Sequence, residues 1–268
     1  MPRRNTGKTI TKIKKFKNKI AIYFDSKKID VSYDTFTSFY LYVGKTMTMK
    51  EYKDFIHQME MEKFLKYALS VREKNIISEY NLREKLYHKE ASKDIVDRII
   101  KFMKEHDLLD DYAYALDMKS YLDDSLVGKN KIILKLKNKG IFDETISKLT
   151  FSSSLEKKKA KEYLEKIESK FNKYNTNLKR KKIINALLVQ GYSYEIINDV
   201  ISTIKKQDPN IEEELLKKDY EKVFNKLSKK YEGKILKEKI IASLYSKGYS
   251  LKKIIIQVGE NDDGFKIC

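Results

Sequence analysis

The sequence predicts an all-α protein in which tandem three-helix repeats form an elongated, curved rod, with a small β-containing extension at the N-terminus. Glycine (9) and proline (2) are scarce among the 268 residues, and this composition disfavours turn-dense sandwiches and barrels. A motif of one apolar helix, a turn and the start of the next helix also recurs about every fifty residues. Hydrophobic residues make up 41% of the chain, which is enough to build a core.

The N-terminal extension, which we place at residues 1–47, carries nearly half of the net charge of +18. Its first 31 positions hold ten basic residues and two acids. Apolar residues recur between two turn-like segments, 17–19 and 25–27, and this pattern predicts a small antiparallel sheet. A short helix over 33–42 then ends at Gly44.

A longer helix begins after the extension, where Thr48 is followed three residues later by Glu51. This spacing is typical of a capping box, in which each side chain bonds the other residue's backbone N–H. From there on the sequence predicts helices. We divide this part of the chain into four repeats, at 48–110, 111–150, 151–209 and 210–268.

Each repeat has an equivalent position at which an apolar helix ends, and these positions hold Glu90, Gly140, Gly191 and Gly248. The three glycines suit the left-handed residue that follows many helices. The next helix starts two residues later, and a serine there supplies the N-cap oxygen in three of the four copies. These helix starts are Ser92, Phe142, Ser193 and Ser250.

The chain has few features of an exported or membrane protein. Cys268 is the single cysteine, so an intramolecular disulfide and a cysteine-based zinc site are excluded. No stretch approaches the roughly eighteen apolar residues of a membrane span, and the N-terminus lacks the apolar core of a signal peptide. We expect a cytoplasmic protein.

Catalytic patterns are equally weak. The three histidines, His57, His88 and His106, lie far apart, and no metalloprotease, phosphate-loop or nucleophile-elbow motif occurs. The adjacent Asp110 and Asp111 are a poor acid–base pair, because neighbours on a helix point in different directions. Asp110 is better explained as the cap of a helix that begins at Asp111. We therefore expect no enzyme, and no catalytic residue, cofactor or metal.

The charge of +18 indicates affinity for a polyanion, most often nucleic acid, unless it reflects a generally lysine-rich composition. A basic pair stands eleven and nine positions before each repeat glycine, where we place the first turn of a helix. Cations there cost a few tenths to about 1 kcal/mol, so we interpret the pairs as anion sites together with the helix N–H groups. Chance is the alternative. The pairs are Lys129 and Lys131, Arg180 and Lys182, and Lys237 and Lys239.

A second basic segment spans 151–182, with eleven basic residues against four glutamates. It adds Lys157, Lys158 and Lys159 to the candidates for DNA binding, and it contains the most linker-like stretch, 172–177. Several tyrosines are able to stack on bases, although packing at the edge of the core is the expected role. These tyrosines are Tyr112, Tyr114, Tyr192, Tyr194 and Tyr249.

A further pattern in the second repeat consists of Leu109, Asp110, Asp111, Tyr114, Ala115, Gly128, Lys139 and Gly140. This pattern resembles the central signature of RecX, the bacterial regulator of RecA. The preceding repeat, with Arg72, is similar to the family's first repeat, and the basic strands resemble the extension of longer Gram-positive members. Lys129 departs from the family's usual proline, Glu90 from a glycine and Tyr114 from a phenylalanine.

The resemblance implies a repeat protein that lies in the groove of the RecA filament on single-stranded DNA. It would modulate filament assembly, ATPase and strand exchange, most often by inhibition, within homologous recombination, DNA repair and the SOS response. The basic residues above would contact the filament or, weakly and without sequence preference, DNA. We expect a monomer with no membrane partner.

Two other functions remain open from the sequence. Three-helix units are similar to helix-turn-helix folds, so a sequence-specific DNA-binding regulator would show selective duplex binding. A helical interaction scaffold would show no DNA binding even at low salt.

Overall fold

The computed structural model describes residues 7–24, 27–204 and 208–260. The predicted turn at 25–27 lies partly outside these ranges, and Cys268 lies wholly outside them. The chain divides into two compact units. Unit 1 comprises Met1–Tyr114 and Lys139–Phe142, and unit 2 comprises Ala115–Asn138 and Asp143–Cys268.

The predicted N-terminal sheet is confirmed. Its antiparallel strands are β1 (Lys8–Phe16), β2 (Lys19–Phe24), β3 (Lys27–Val31) and β4 (Thr46–Met47), in the order β3-β2-β1-β4. The helix predicted over 33–42 is shorter, because Tyr40 takes a left-handed conformation (φ 46°) and the chain turns back toward the sheet. Gly44 N donates to Ile10 O at 2.8 Å, which positions a fourth strand that the sequence did not predict. The short helix, α1, spans Tyr33–Ser38.

The inner face of this sheet packs on the first long helix, α2 (Met49–Lys74). Ile20 and Ile22 are fully buried there with Phe55 of α2. Both bonds of the predicted capping box are present between Thr48 and Glu51. The Thr48 backbone N–H, which donates to Glu51, lowers the pKa of that carboxyl.

The remaining helices of the described residues form four consecutive groups of three, so the predicted all-α, tandem-repeat fold is confirmed. The first group is α2 (Met49–Lys74), α3 (Glu79–Tyr87) and α4 (Lys93–Glu105). The second is α5 (Asp111–Asp124), α6 (Lys129–Lys137) and α7 (Asp143–Ser147). The third is α8 (Ser153–Glu168), with a 3-10 turn at Ser169–Phe171, α9 (Thr176–Gln190) and α10 (Tyr194–Ile201). The fourth is α11 (Pro209–Leu227), α12 (Gly233–Ser246) and α13 (Leu251–Glu260).

Local signals at the helix ends behave as predicted. The side chains of Ser92 and Ser193 accept from backbone N–H groups of the helices that follow them. Gly191 and Gly248 are left-handed, with φ 98° and 97°. Glu90 adopts the same conformation (φ 65°), which costs a non-glycine residue about 1–2 kcal/mol.

The stretch 172–177 is not the linker that its composition suggests. Asn175 is 2% exposed and caps α9, because its Oδ1 accepts from Leu178 N at 2.9 Å. Among the described residues, no helix has the length and apolar character needed to cross a membrane.

Candidate nucleic-acid interface and the joints between repeats

The middle helix of each of the first three repeats begins against the loop that ends the middle helix of the next repeat. The donor is the N-cap residue of α3, α6 or α9, and the acceptor is the carbonyl directly before the repeat glycine. The three pairs, each 2.9 Å apart, are Ser78 Oγ to Lys139 O, Gly128 N to Gln190 O and Asn175 Nδ2 to Lys247 O. We call these contacts the repeat joints.

Two of the three joints leave no space for a Cβ on their glycines. A Cβ on Gly128 would lie 2.4 Å from the carbonyl carbon of Gly191, and a Cβ on Gly191 would lie 2.4 Å from Lys131 Cβ. A Cβ on Gly140 would lie 2.2 Å from Tyr80 Cβ. The backbones therefore approach too closely at these points for any side chain.

Carboxylates of the next repeat complete two of the joints. Asp111 Oδ1 accepts from Glu79 N at 2.8 Å, and Glu156 Oε2 accepts from Lys129 N at 2.9 Å. These N–H groups begin α3 and α6, where an external anion would bind a free helix end. At the start of α6, the carboxylate of Glu156 occupies the position that an external anion would take.

The predicted position of the basic pairs is right for one helix and wrong for two. Lys129 and Lys131 lie in the first turn of α6, but α9 begins at Thr176 and α12 at Gly233. Arg180 and Lys237 are therefore the fifth residues of their helices. The N-cap Asn175 starts α9 four residues before Arg180, whereas the N-cap Gly128 makes Lys129 the first residue of α6.

Most members of these pairs contact protein groups. Lys131 Nζ donates to Val189 O at 3.1 Å and thus strengthens a repeat joint. Three other ammonium groups lie over aromatic rings. The distances from Nζ to the ring centroid are 5.4 Å from Lys129 to Phe151, 4.8 Å from Lys182 to Tyr174 and 5.9 Å from Lys239 to Tyr231. Lys129, Arg180 and Lys239 are exposed, whereas Lys182 and Lys237 are half-buried.

The lysine run 157–159 divides among three environments. Lys159 has a side chain only 4% exposed, and its Nζ contacts Glu156, Asp123 Oδ1 at 2.5 Å and Val127 O at 2.8 Å. This burial removes Lys159 from the surface that we predicted it to occupy. Lys157 pairs with Asp199 at 2.6 Å, and Lys158 is exposed.

Two of the five candidate tyrosines are core residues. Tyr192 is 1% exposed and Tyr249 is 3% exposed, and their hydroxyls donate to Leu126 O and Asp219 Oδ2. Burial raises the pKa of both hydroxyls. Tyr112 and Tyr194 are exposed.

The histidines lie in separate environments. His57 Nε2 lies 3.1 Å from a carboxylate oxygen of Asp94, and the ring of His106 stacks on Phe102 at 4.1 Å. Within the part of the chain that the structure describes, no three His, Cys, Asp or Glu side chains form a group able to hold a metal ion.

Comparison with known proteins yields one consistent family. No family model matches the chain. The curated proteins named "Regulatory protein RecX" from Listeria innocua and Staphylococcus saprophyticus are 29% and 28% identical to it, over 257 and 270 residues. Both matches cover 94% of this chain and 95% of the relative.

Two solved structures have the same fold. A crystal structure of regulatory protein RecX matches with a TM-score of 0.61 and 22% identity, over 73% of this chain and 99% of the other. RecX from Lactobacillus salivarius matches with a TM-score of 0.50 and 25% identity, over 54% of this chain and 96% of the other.

The chain is similar to RecX proteins along nearly its whole length.

The residues that match the RecX signature have structural roles in this chain. Leu109 and Ala115 are buried, and Asp110 caps α5 by accepting from Tyr112 N at 2.7 Å, as predicted. Arg72 Nε donates to Leu108 O at 2.8 Å, which links the end of α2 to the loop before α5.

One departure from the RecX pattern has a structural consequence. Lys129 stands where the family usually has proline, and its backbone N–H donates to Glu156. Proline has no such N–H, so the substitution adds this bond between α6 and α8.

Sequence reasoning missed the carbonyl acceptors of the repeat joints, the joint carboxylate Glu156 and the contacts of Asp219 within the fourth repeat. Asp219 accepts from Lys247 Nζ at 2.7 Å as well as from Tyr249. The N-cap serine at Ser78 has a recognisable local signal. Its partner, 61 residues away, has none.

Proposed function

We propose that this protein regulates RecA by binding the filament that RecA forms on single-stranded DNA, and that it inhibits filament assembly, ATPase and strand exchange. The similarity to curated RecX proteins over 94% of the chain carries this proposal. The protein acts by binding rather than by catalysis, and it works as a monomer in the cytoplasm.

The arrangement of charge in unit 2 supports binding to a filament. Lys129, Arg180 and Lys239 are exposed, and each belongs to the middle helix of a different repeat. Joints at the same positions of successive repeats hold these helices, so the cations recur with the repeat. A filament is itself a repeating partner that carries the phosphates of its DNA, and lysine and arginine contact phosphates without reading sequence.

The proposal is tested by measuring binding to preassembled RecA–DNA filaments. The triple variant K129Q/R180Q/K239Q removes one exposed cation from each of repeats 2, 3 and 4. The matched control K50Q/K53Q/K93Q removes the same charge from exposed lysines of unit 1. We expect co-sedimentation with filaments to fall at least ten-fold for the first variant and to stay within two-fold of wild type for the control.

Failure of the wild-type protein to co-sediment would contradict the proposal. Equal binding by both variants would show that Lys129, Arg180 and Lys239 do not contact the filament. Tight binding to one duplex sequence without RecA would favour the helix-turn-helix alternative, because backbone contacts alone carry no sequence preference.

A further inference from the structure

The N-terminal sheet has a second face that the core does not use. Paired residues of neighbouring strands point to the same side of a sheet, and successive residues alternate. Ile13, Ile22 and Ile29 form one row toward the core, and the adjacent row is Lys12, Tyr23 and Lys28. We call the side opposite the core the outward face. It carries Lys12, Lys14, Phe16, Lys19, Ala21, Tyr23, Lys28 and Asp30.

The outward face is strongly basic. Its four lysines are exposed, and the face holds one acid, Asp30, which pairs with Lys19 at 2.6 Å and Lys28 at 3.2 Å. The bond from Lys19 lowers the pKa of Asp30, so this acid stays ionised. Lys12 and Lys14 are directed outward from β1, and Lys17 adds a further exposed cation at the turn.

Two aromatic rings stand among these lysines. Phe16 is 46% exposed, and Tyr23 is half-buried. The ammonium group of Lys19 lies 6.0 Å from the Phe16 ring centroid, and that of Lys12 lies 6.0 Å from the Tyr23 ring centroid. Phe16 pairs with Lys19 and Tyr23 pairs with Lys12, so the rings are four residues apart along the strands, about 13 Å.

A face that alternates aromatic rings and lysines has the chemistry of a single-strand platform. Unpaired bases stack on aromatic side chains, whereas cations beside the rings meet the phosphates. A duplex offers phosphates but keeps its bases stacked on each other. The rings of Phe16 and Tyr23 therefore favour a single strand over a duplex.

We propose that the outward face of the N-terminal sheet binds single-stranded nucleic acid. Bases stack on Tyr23 and Phe16, and the lysines of the face contact the phosphates. This site goes beyond the proposed function, because it requires no RecA. It is also separate in sequence from the repeat cations of unit 2.

The proposal is tested with the full chain and a fluorescently labelled oligothymidylate in the absence of RecA. The variant K12Q/K14Q/K28Q removes three phosphate contacts, and K50Q/K53Q/K93Q is the control of equal charge. By fluorescence anisotropy at low salt, we expect the first variant to bind at least ten-fold more weakly and the control to stay within two-fold. The slope of log affinity against log salt should fall by about 2, since each single-strand phosphate contact contributes about 0.7.

A second pair of variants tests stacking. Tyr23→Leu should weaken binding about five-fold or more, whereas Tyr23→Phe, which keeps the ring, should change it less than two-fold. Equal losses in the two lysine variants would overturn the site, as would a loss found only in K129Q/R180Q/K239Q. Equal affinity for a duplex of the same length, with no effect of Tyr23→Leu, would overturn the single-strand assignment.

The experiment separates this site from the proposed function. Failure here leaves filament binding by the repeats unaffected, because that assay contains RecA and uses a different variant. Failure of filament binding likewise leaves the oligothymidylate result unchanged.

Discussion

Asn175 donates a hydrogen bond from Nδ2 to the backbone carbonyl of Lys247 at 2.9 Å, although the two residues lie 72 positions apart. The same side chain caps α9 through Leu178 N. One buried amide thus starts a helix of the third repeat and holds the end of a helix of the fourth. Ser78 performs both tasks in the first repeat, where it caps α3 and donates to Lys139 O.

Replacing Asn175 with alanine should remove both bonds and destabilise the protein by about 2 kcal/mol, from a lost cap and an unpaired buried carbonyl. Asn175→Ser should cost less than half as much, because serine performs both tasks at Ser78. Urea unfolding measures the difference. Equal stability of the alanine and serine variants would contradict this role for the joint.

Gly191→Ala should be more damaging than Gly44→Ala, although both glycines have φ above 90°. An added Cβ at Gly44 meets no atom within 4 Å, whereas at Gly191 it lies 2.4 Å from Lys131 Cβ. Backbone strain alone costs about 1–2 kcal/mol, and the clash adds about 1–3 kcal/mol at Gly191. Thermal unfolding of the two variants should separate these contributions. Equal losses would show that the joint tolerates a side chain.

Lys159→Met should destabilise the protein by about 3–5 kcal/mol, because it leaves the carboxylates of Asp123 and Glu156 without their buried cation. The neighbouring Lys158→Met changes an exposed side chain and should stay within about 0.5 kcal/mol of wild type. Chemical denaturation compares the two. A small effect at Lys159 would show that water replaces its ammonium group.

Asp111 gives a pH-dependent prediction. Burial raises the pKa of its carboxyl in the folded protein. The carboxyl therefore ionises at a lower pH in the unfolded chain than in the folded protein. The folded protein loses stability as the pH rises from the ordinary pKa to the raised one. Asp111→Asn keeps an oxygen acceptor for Glu79 N and avoids that loss. The variant should therefore be at least as stable as wild type at pH 7, and any advantage should vanish below the ordinary pKa of aspartate, about 3.9.

Urea unfolding of both proteins at pH 7 and pH 3.5 tests the sign. Asp111→Ala is the control that removes the acceptor, and it should be less stable than Asp111→Asn at both pH values. Wild type gaining stability relative to Asp111→Asn with rising pH would contradict the role of burial.

The sequence predicts the repeats well because their signals are local. A glycine in the left-handed region, a serine at a helix start and a capping box each depend on a few neighbouring residues. The starts of α9 and α12 were harder to predict. Asn175 lies in a polar stretch typical of linkers, and Glu232 before α12 makes no side-chain cap bond.

The contacts between repeats were not predictable in the same way. Gly128 and Gln190 are joined by a hydrogen bond across 62 positions of sequence, and no local pattern reports that pairing. The burial of Lys159 is likewise not predictable from the sequence. This residue belongs to a run of three lysines typical of a solvated face, and only the positions of Asp123 and Glu156 around it explain its burial.

The proposed regulation of RecA is tested by measuring ATP hydrolysis by RecA on single-stranded DNA while this protein is titrated. We expect hydrolysis to fall as the protein is added and electron micrographs to show shorter filaments. K129Q/R180Q/K239Q should inhibit at least ten-fold more weakly than K50Q/K53Q/K93Q. Unchanged hydrolysis together with unchanged filament length would contradict the proposed regulation.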